Sequence, residues 1–265
     1  ANYGFNLSAQ DPRQMYNENS PLSKISDAAR ASSSRVSSGN SHLFEGNQRG
    51  MWYNIPNISD FQPLLYENFK RMRKLKDGSR RDDLFSIRFV FRQDPRRGVG
   101  IVERDTWLPR ARIVHDITTC ATLSNVMATL VSPDFDYRNA ACVFTKDAPS
   151  IEVKPAPPPA GESAVITAYQ PEKIVVDATL AAPGLLVMSE NAIPGWHVMV
   201  NGVEKEWFTV NGCFRGVPLD AGKHTVVWTY TAPGLVRGAI VSGVTLSAVI
   251  AAAFVLRMRH SRRAE

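Results

Sequence analysis

From Gly238 to Leu256 the chain runs nineteen residues without a charge, then turns basic with Arg257, Arg259, Arg262 and Arg263. An apolar helix of about 20 residues matches the roughly 30 Å hydrocarbon core of a bilayer. In that medium the backbone must satisfy its own hydrogen bonds. The pattern predicts a transmembrane helix over 235–256 and a basic tail, 257–265, held on the cytoplasmic side. Everything before Leu235 is then expected outside the cytoplasm. The alternative is a buried core helix, although globular helices seldom run this long without a polar face.

Upstream, the apolar spacing divides the chain in two. Pro21–Ala31 predicts a helix, with Ser20 as cap and Pro21 in the first turn. Phe61, Leu64, Leu65, Phe69, Met72 and Leu75 recur at helical spacing over Phe61–Lys76. The opposite face carries Lys70, Arg71, Arg73, Lys74 and Lys76, either a solvated face or a phosphate-binding stripe. Ile87–Phe91, Gly100–Glu103, Arg112–His115 and Ala141–Phe144 predict strands, and Ala121–Val131 a short helix. The Pro-rich run from Lys154 to Gly161 lacks sheet donors and predicts a semi-rigid linker.

Beyond it the rhythm is strand and tight turn: Ile174–Asp177, Gly184–Ser189, Trp196–Val200, Glu204–Val210, Phe214–Val217 and His224–Tyr230. Asn201-Gly202 is a strong hairpin signal, because both positions accept positive φ. The predicted fold class is α+β. It comprises a mixed α/β extracytoplasmic domain (1–153), a linker (154–161), an antiparallel β-sandwich (162–232), a transmembrane helix (235–256) and a basic cytoplasmic tail (257–265).

The net charge of +6 loses half its weight once the four tail arginines and Glu265 are set aside, so nucleic acid is not an expected partner. Cys120, Cys142 and Cys213 show no CxxC and no His/Cys ligand spacing. Either Cys120 and Cys142 pair, or all three are buried thiols. The chain starts at Ala1 without an apolar leader pattern in Ala1–Gln10, which favours the end of a longer membrane protein.

The second half resembles the C-terminal end of bacterial membrane proteins of the YfhO family. The matching residues are Pro183–Glu190, Pro194-Gly195-Trp196, Val200-Asn201-Gly202, Val210–Leu219 and Ala221–His224, with Tyr230 and the terminal helix. Upstream, Leu108-Pro109-Arg110-Ala111, Ser132–Asp136 and the Phe61–Tyr66 region look like family segments. The resemblance implies a polytopic protein grouped with the GT-C-type glycosyltransferases, which bind lipid-phosphate sugars within a bundle of membrane helices. Their catalytic or metal-binding acids lie in an early extracytoplasmic loop, which this chain does not contain.

No catalytic residue, metal site or cofactor is expected here, since there is no HExxH, GxSxG or phosphate-cradling Gly loop. Four residues stand as ligand-binding candidates. Trp196 is either a core anchor or a sugar-stacking platform. Arg215 either snorkels, pairs with an acid, or holds a phosphate. Asp134 and Asp136 flank Phe135 as a DxD-like pair or as solvated acids of a turn.

The expected function is the non-catalytic extracytoplasmic part of a polytopic glycosyltransferase-like protein, capping a membrane site and helping to position an acceptor. The alternative is a single-pass membrane-anchored sandwich for glycan binding or scaffolding. Ala239, Gly243, Ser247 and Ala251 recur every four residues, where another helix can approach closely, and favour the first. Expected partners are membrane lipid, transmembrane helices of the upstream part of the same protein, and a polyprenyl-phosphate sugar or envelope glycan. The expected location is the bacterial cytoplasmic membrane.

Overall fold

The computed structural model describes residues 21–37, 66–94, 98–147 and 159–261. Expectations for 1–20, Phe61–Leu65, most of the Pro-rich linker and the last four tail residues lie outside the described residues. The described chain is mostly β, which corrects the α+β expectation.

Two sheets form the sandwich. One has the order β11-β10-β14-β8-β7, built from Val203–Lys205, Trp196–Val200, Gly222–Tyr230, Lys173–Leu180 and Ser163–Tyr169. The other has the order β4-β9-β13-β12-β6-β5, built from Ala111–Val114, Gly184–Asn191, Phe214–Leu219, Phe208–Val210, Ala140–Phe144 and Asp116–Cys120. This second sheet overturns the independent α/β domain. Its strands β4, β5 and β6 come from before the Pro-rich run, and β4 pairs with β9 from Ala111↔Met188 to Val114↔Leu185. Alternating side chains of both sheets need one shared core, and a strand edge left unpaired is a liability. Ile174, Val176, Val198, Val226 and Trp228 meet Leu186, Met188, Val217 and Leu219 between the sheets.

Short helices pack on the outer face of the six-stranded sheet and on a small third sheet. Helix α1 spans Pro21–Ala31, α2 Glu67–Met72, α3 Gly78–Leu84 and α4 Leu123–Val131. Asp77 caps α3 by accepting from the Ser79 and Arg80 amides at 3.0 Å. Leu123, Val126 and Leu130 put one face of α4 into a cluster with Met72, Leu84, Phe85 and Phe214. Buried Asp83 ties these elements together, accepting from Tyr137 Oη at 2.7 Å, Arg138 Nη2 at 2.9 Å and Arg104 Nη2. A three-stranded sheet, β1 (Arg35–Ser37), β2 (Ile87–Asp94) and β3 (Gly98–Glu103), packs beneath α1 through Val36, Phe89, Ile25 and Ala29.

Helix α5 covers Leu235–Ser261. Among the described residues, no helix is long and apolar enough to cross a membrane, which corrects the expected transmembrane helix. The cytoplasmic placement of the basic tail rested on that span and loses its support. What the helix does show is apolar exposure on every side: Ile240, Val241, Val244, Leu246, Val249 and Ile250 are all exposed. Ser247 and Thr245 satisfy their hydroxyls on the carbonyls of Gly243 and Val241, both at 2.8 Å.

Candidate functional site: an arginine cluster at one end of the sandwich

Strand β10 runs from a bend at the end of the sandwich nearest α5 to a hairpin turn at the far end. Asn201 and Gly202 hold φ of 52° and 82°, as the Asn-Gly turn requires, and start the β10–β11 hairpin. At the other end of β10, Gly195 has φ of 102°, and a Cβ there would run into the Thr231 carbonyl. That bend delivers Trp196 opposite Tyr230, with ring centroids 5.2 Å apart. Five residues after Tyr230, α5 begins.

On the facing sheet, Ala111, Met188 and Arg215 lie in one row across β4, β9 and β13, so Arg215 points between the sheets. Its guanidinium Cζ is 3.7 Å from the Trp196 ring centroid and 4.8 Å from that of Trp228. The structure thus brings two of the four sequence candidates, Trp196 and Arg215, into direct contact. Trp196 is part-buried and packs against the core, and its carbonyl accepts from Trp207 Nε1 at 2.8 Å.

A bulge between Phe214 and Arg215 pushes Ser189 and Glu190 out of the ladder. Glu190 Oε1 then collects Arg35 Nη2 at 2.8 Å, the Tyr169 hydroxyl at 3.1 Å and Arg110 Nη1 at 3.5 Å. Arg35 also donates to the Phe85 carbonyl at 2.9 Å, and Arg110 to that of Ser34 at 3.1 Å. Tyr169, exposed at 49%, is the outer wall, with the Arg110 guanidinium 4.9 Å from its ring.

Three guanidinium groups therefore surround one carboxylate among the described residues. Burial pushes the Glu190 carboxyl up, yet Arg35, Arg110, Arg215 and the Tyr169 hydroxyl outweigh it and hold the group below the ordinary carboxylate range. Burial lowers Arg215 to about 10, against the opposing pull of Glu190. Arg215 Nε and Nη1 and Arg110 Nε are buried with no hydrogen-bond partner. Arg112, on the other face of β4 beside Val187, is buried with all three nitrogens unpartnered, and burial lowers it to about 10.

Asp134 and Asp136 do not join this site. Both are exposed on the turn between α4 and β6, where Asp136 accepts from the Arg138 amide at 3.2 Å and Asn139 Nδ2 at 2.7 Å. Among the described residues no group of His, Cys, Asp or Glu is placed to hold a metal ion. Cys120, Cys142 and Cys213 are buried free thiols rather than a pair and an odd one. Sequence reasoning missed Arg35, Arg110, Glu190 and Tyr169 as site residues. Glu190 and Arg110 did stand inside the family-like segments, which was the one signal pointing to them.

No curated protein and no solved structure matches the chain. The family model described as bacterial membrane protein YfhO matches residues 160–242, which take in β7 to β14 and the start of α5. The matched segment, which includes Trp196, Arg215, Glu190 and Tyr169, is thus similar to the bacterial membrane proteins of the YfhO family.

Proposed function

We propose that this chain is the non-catalytic part, standing outside the cytoplasm, of a longer glycosyltransferase-like membrane protein of the YfhO family. In this reading it caps the membrane-embedded portion and helps to position an acceptor, an envelope glycan or a lipid-linked sugar. The carrying observation is placement: an aromatic-lined arginine cluster occupies the end of the sandwich from which α5 departs with its apolar residues Ile240–Ile250 exposed. A helix that is apolar on every side needs apolar cover. Membrane lipid and helices from the rest of the protein are the proposed cover.

The absence of catalysis is supported by how the acids are used. Asp83 and Glu190 are absorbed in ion pairs, and Asp136 closes a turn. Glycosyl transfer needs positioned acid/base groups or a metal at the reacting centre. The test compares the purified 265-residue chain with membranes carrying the whole protein, using a radiolabelled polyprenyl-phosphate sugar. The chain alone should transfer nothing, with or without divalent metal, while Trp196→Ala in the whole protein should lower transfer. Turnover by the chain alone, abolished by Asp134→Asn or Asp136→Asn, would refute the non-catalytic reading.

A further inference from the structure

Burying a guanidinium without carboxylate or carbonyl acceptors in its plane is costly, because its N–H groups lose water and gain nothing. Cation–π contact recovers part of that, but it engages the flat face of the Arg215 guanidinium and leaves the in-plane N–H donors unused. Those donors, Nε and Nη1, are the ones without partners, and Arg215 as a residue is only 1% exposed. Glu190 accepts from Arg35, Arg110 and Tyr169 and from neither of these two Arg215 nitrogens.

We propose that Arg215 and Arg110, beside Glu190 and walled by Trp196 and Tyr169, form a binding subsite for an oxyanion, the phosphate or carboxylate group of a small ligand or lipid headgroup. The planar guanidinium presents paired N–H donors matched to two oxygens of such a group. An added anion balances the excess of guanidinium over carboxylate. Stacking on Trp196 and Trp228 holds the Arg215 fork in one plane before the ligand arrives, so little rotamer freedom is lost on binding. The ligand approaches past Tyr169 and Trp196, the two wall residues that are not buried. This subsite deepens the acceptor-positioning reading but does not require it: the residues bind an oxyanion whether or not the whole protein transfers sugar.

The test uses the full chain in neutral detergent and reads tryptophan fluorescence and melting temperature at fixed ionic strength. The probes are inorganic phosphate, glucuronate, and micelles containing phosphatidylglycerol, with glucose and phosphatidylcholine as controls. A saturable response to at least one anionic probe and to neither control is expected. A response to phosphate or glucuronate alone identifies a soluble ligand, and one to phosphatidylglycerol alone a lipid headgroup. Arg215→Met should fold, melt no lower than the parent chain, and bind the responding probe at least about tenfold more weakly. Should Arg215→Met not fold, Arg215→Lys keeps the charge, loses the fork, and should show the same weakening. Responses that do not saturate, that glucose reproduces, or that survive in the folded variant would overturn the proposal. Failure of sugar transfer in the whole protein with this binding intact would count against the acceptor-positioning reading alone.

Discussion

Glu190→Gln removes the one negative charge among Arg35, Arg110 and Arg215 while keeping nearly the same volume. Three donors converge on Oε1, at 2.8, 3.1 and 3.5 Å, and both members of the closest ion pair are only 13% exposed at the side chain. Breaking one member of a buried pair typically costs about 3–5 kcal/mol, because the remaining charge stays buried without compensation. For a protein of this size the melting temperature falls by roughly 2–4 °C per kcal/mol, so a drop of about 6–20 °C is expected at pH 7. The exposed pair Arg30–Asp27, at 46% and 64% exposure, is the internal control. Asp27→Asn should change stability by less than about 1 kcal/mol. The penalty must also depend on pH. The folded-state pKa of Glu190 lies below its unfolded value, so its contribution is complete above the unfolded carboxylate range. It is lost as pH falls through the folded value, and the two melting curves should converge in acid. Thermal melts followed by circular dichroism from pH 7 down to pH 3 measure both effects. An unchanged melt at pH 7, or a gap that does not narrow in acid, would refute the claim that this carboxylate holds the cluster together.

Trp228 is fully buried between the sheets, so Trp228→Ala should destabilise by about 3–5 kcal/mol in denaturant titration. Gly195→Ala forces a side chain into positive φ beside the Thr231 carbonyl and should cost at least about 1–3 kcal/mol by the same measurement. Burial pushes the thiols of Cys142 and Cys213 up, and Cys120 is buried as well. An aromatic disulfide reagent should therefore leave the folded chain unmodified and label all three cysteines once it is denatured.

Local pattern was legible where a single element decides its own state. The strand Trp196–Val200 and the helix Pro21–Ala31 stand where alternation and helical spacing put them, and the Asn201-Gly202 turn has the expected positive φ at both residues. Helix α3 was not legible, because Gly78–Leu84 is polar and is held by the Asp77 cap and the Asp83 ion pairs rather than by an apolar stripe. Strand β7 alternates only through Ala and Thr beside Val165 and Ile166, too weak a period to read. The six-stranded sheet was illegible for a deeper reason. Pairing of β4 with β9 and of β6 with β12 crosses the Pro-rich run, and no local signal encodes a partner that far along the chain. The arginine cluster has the same origin. Arg215 stood as a candidate by itself, but no local signal joins it to Arg35 and Arg110, which meet one carboxylate beside the bulge at Glu190.

The most direct measurement titrates a polyprenyl-phosphate sugar into the full chain in detergent, following tryptophan fluorescence and product formation in the same sample. Saturable binding that weakens in Arg215→Met, with no sugar released or transferred, is the expected result. Turnover by the chain, or binding indifferent to Arg215, would contradict a non-catalytic part that recognises its ligand at the end of the sandwich.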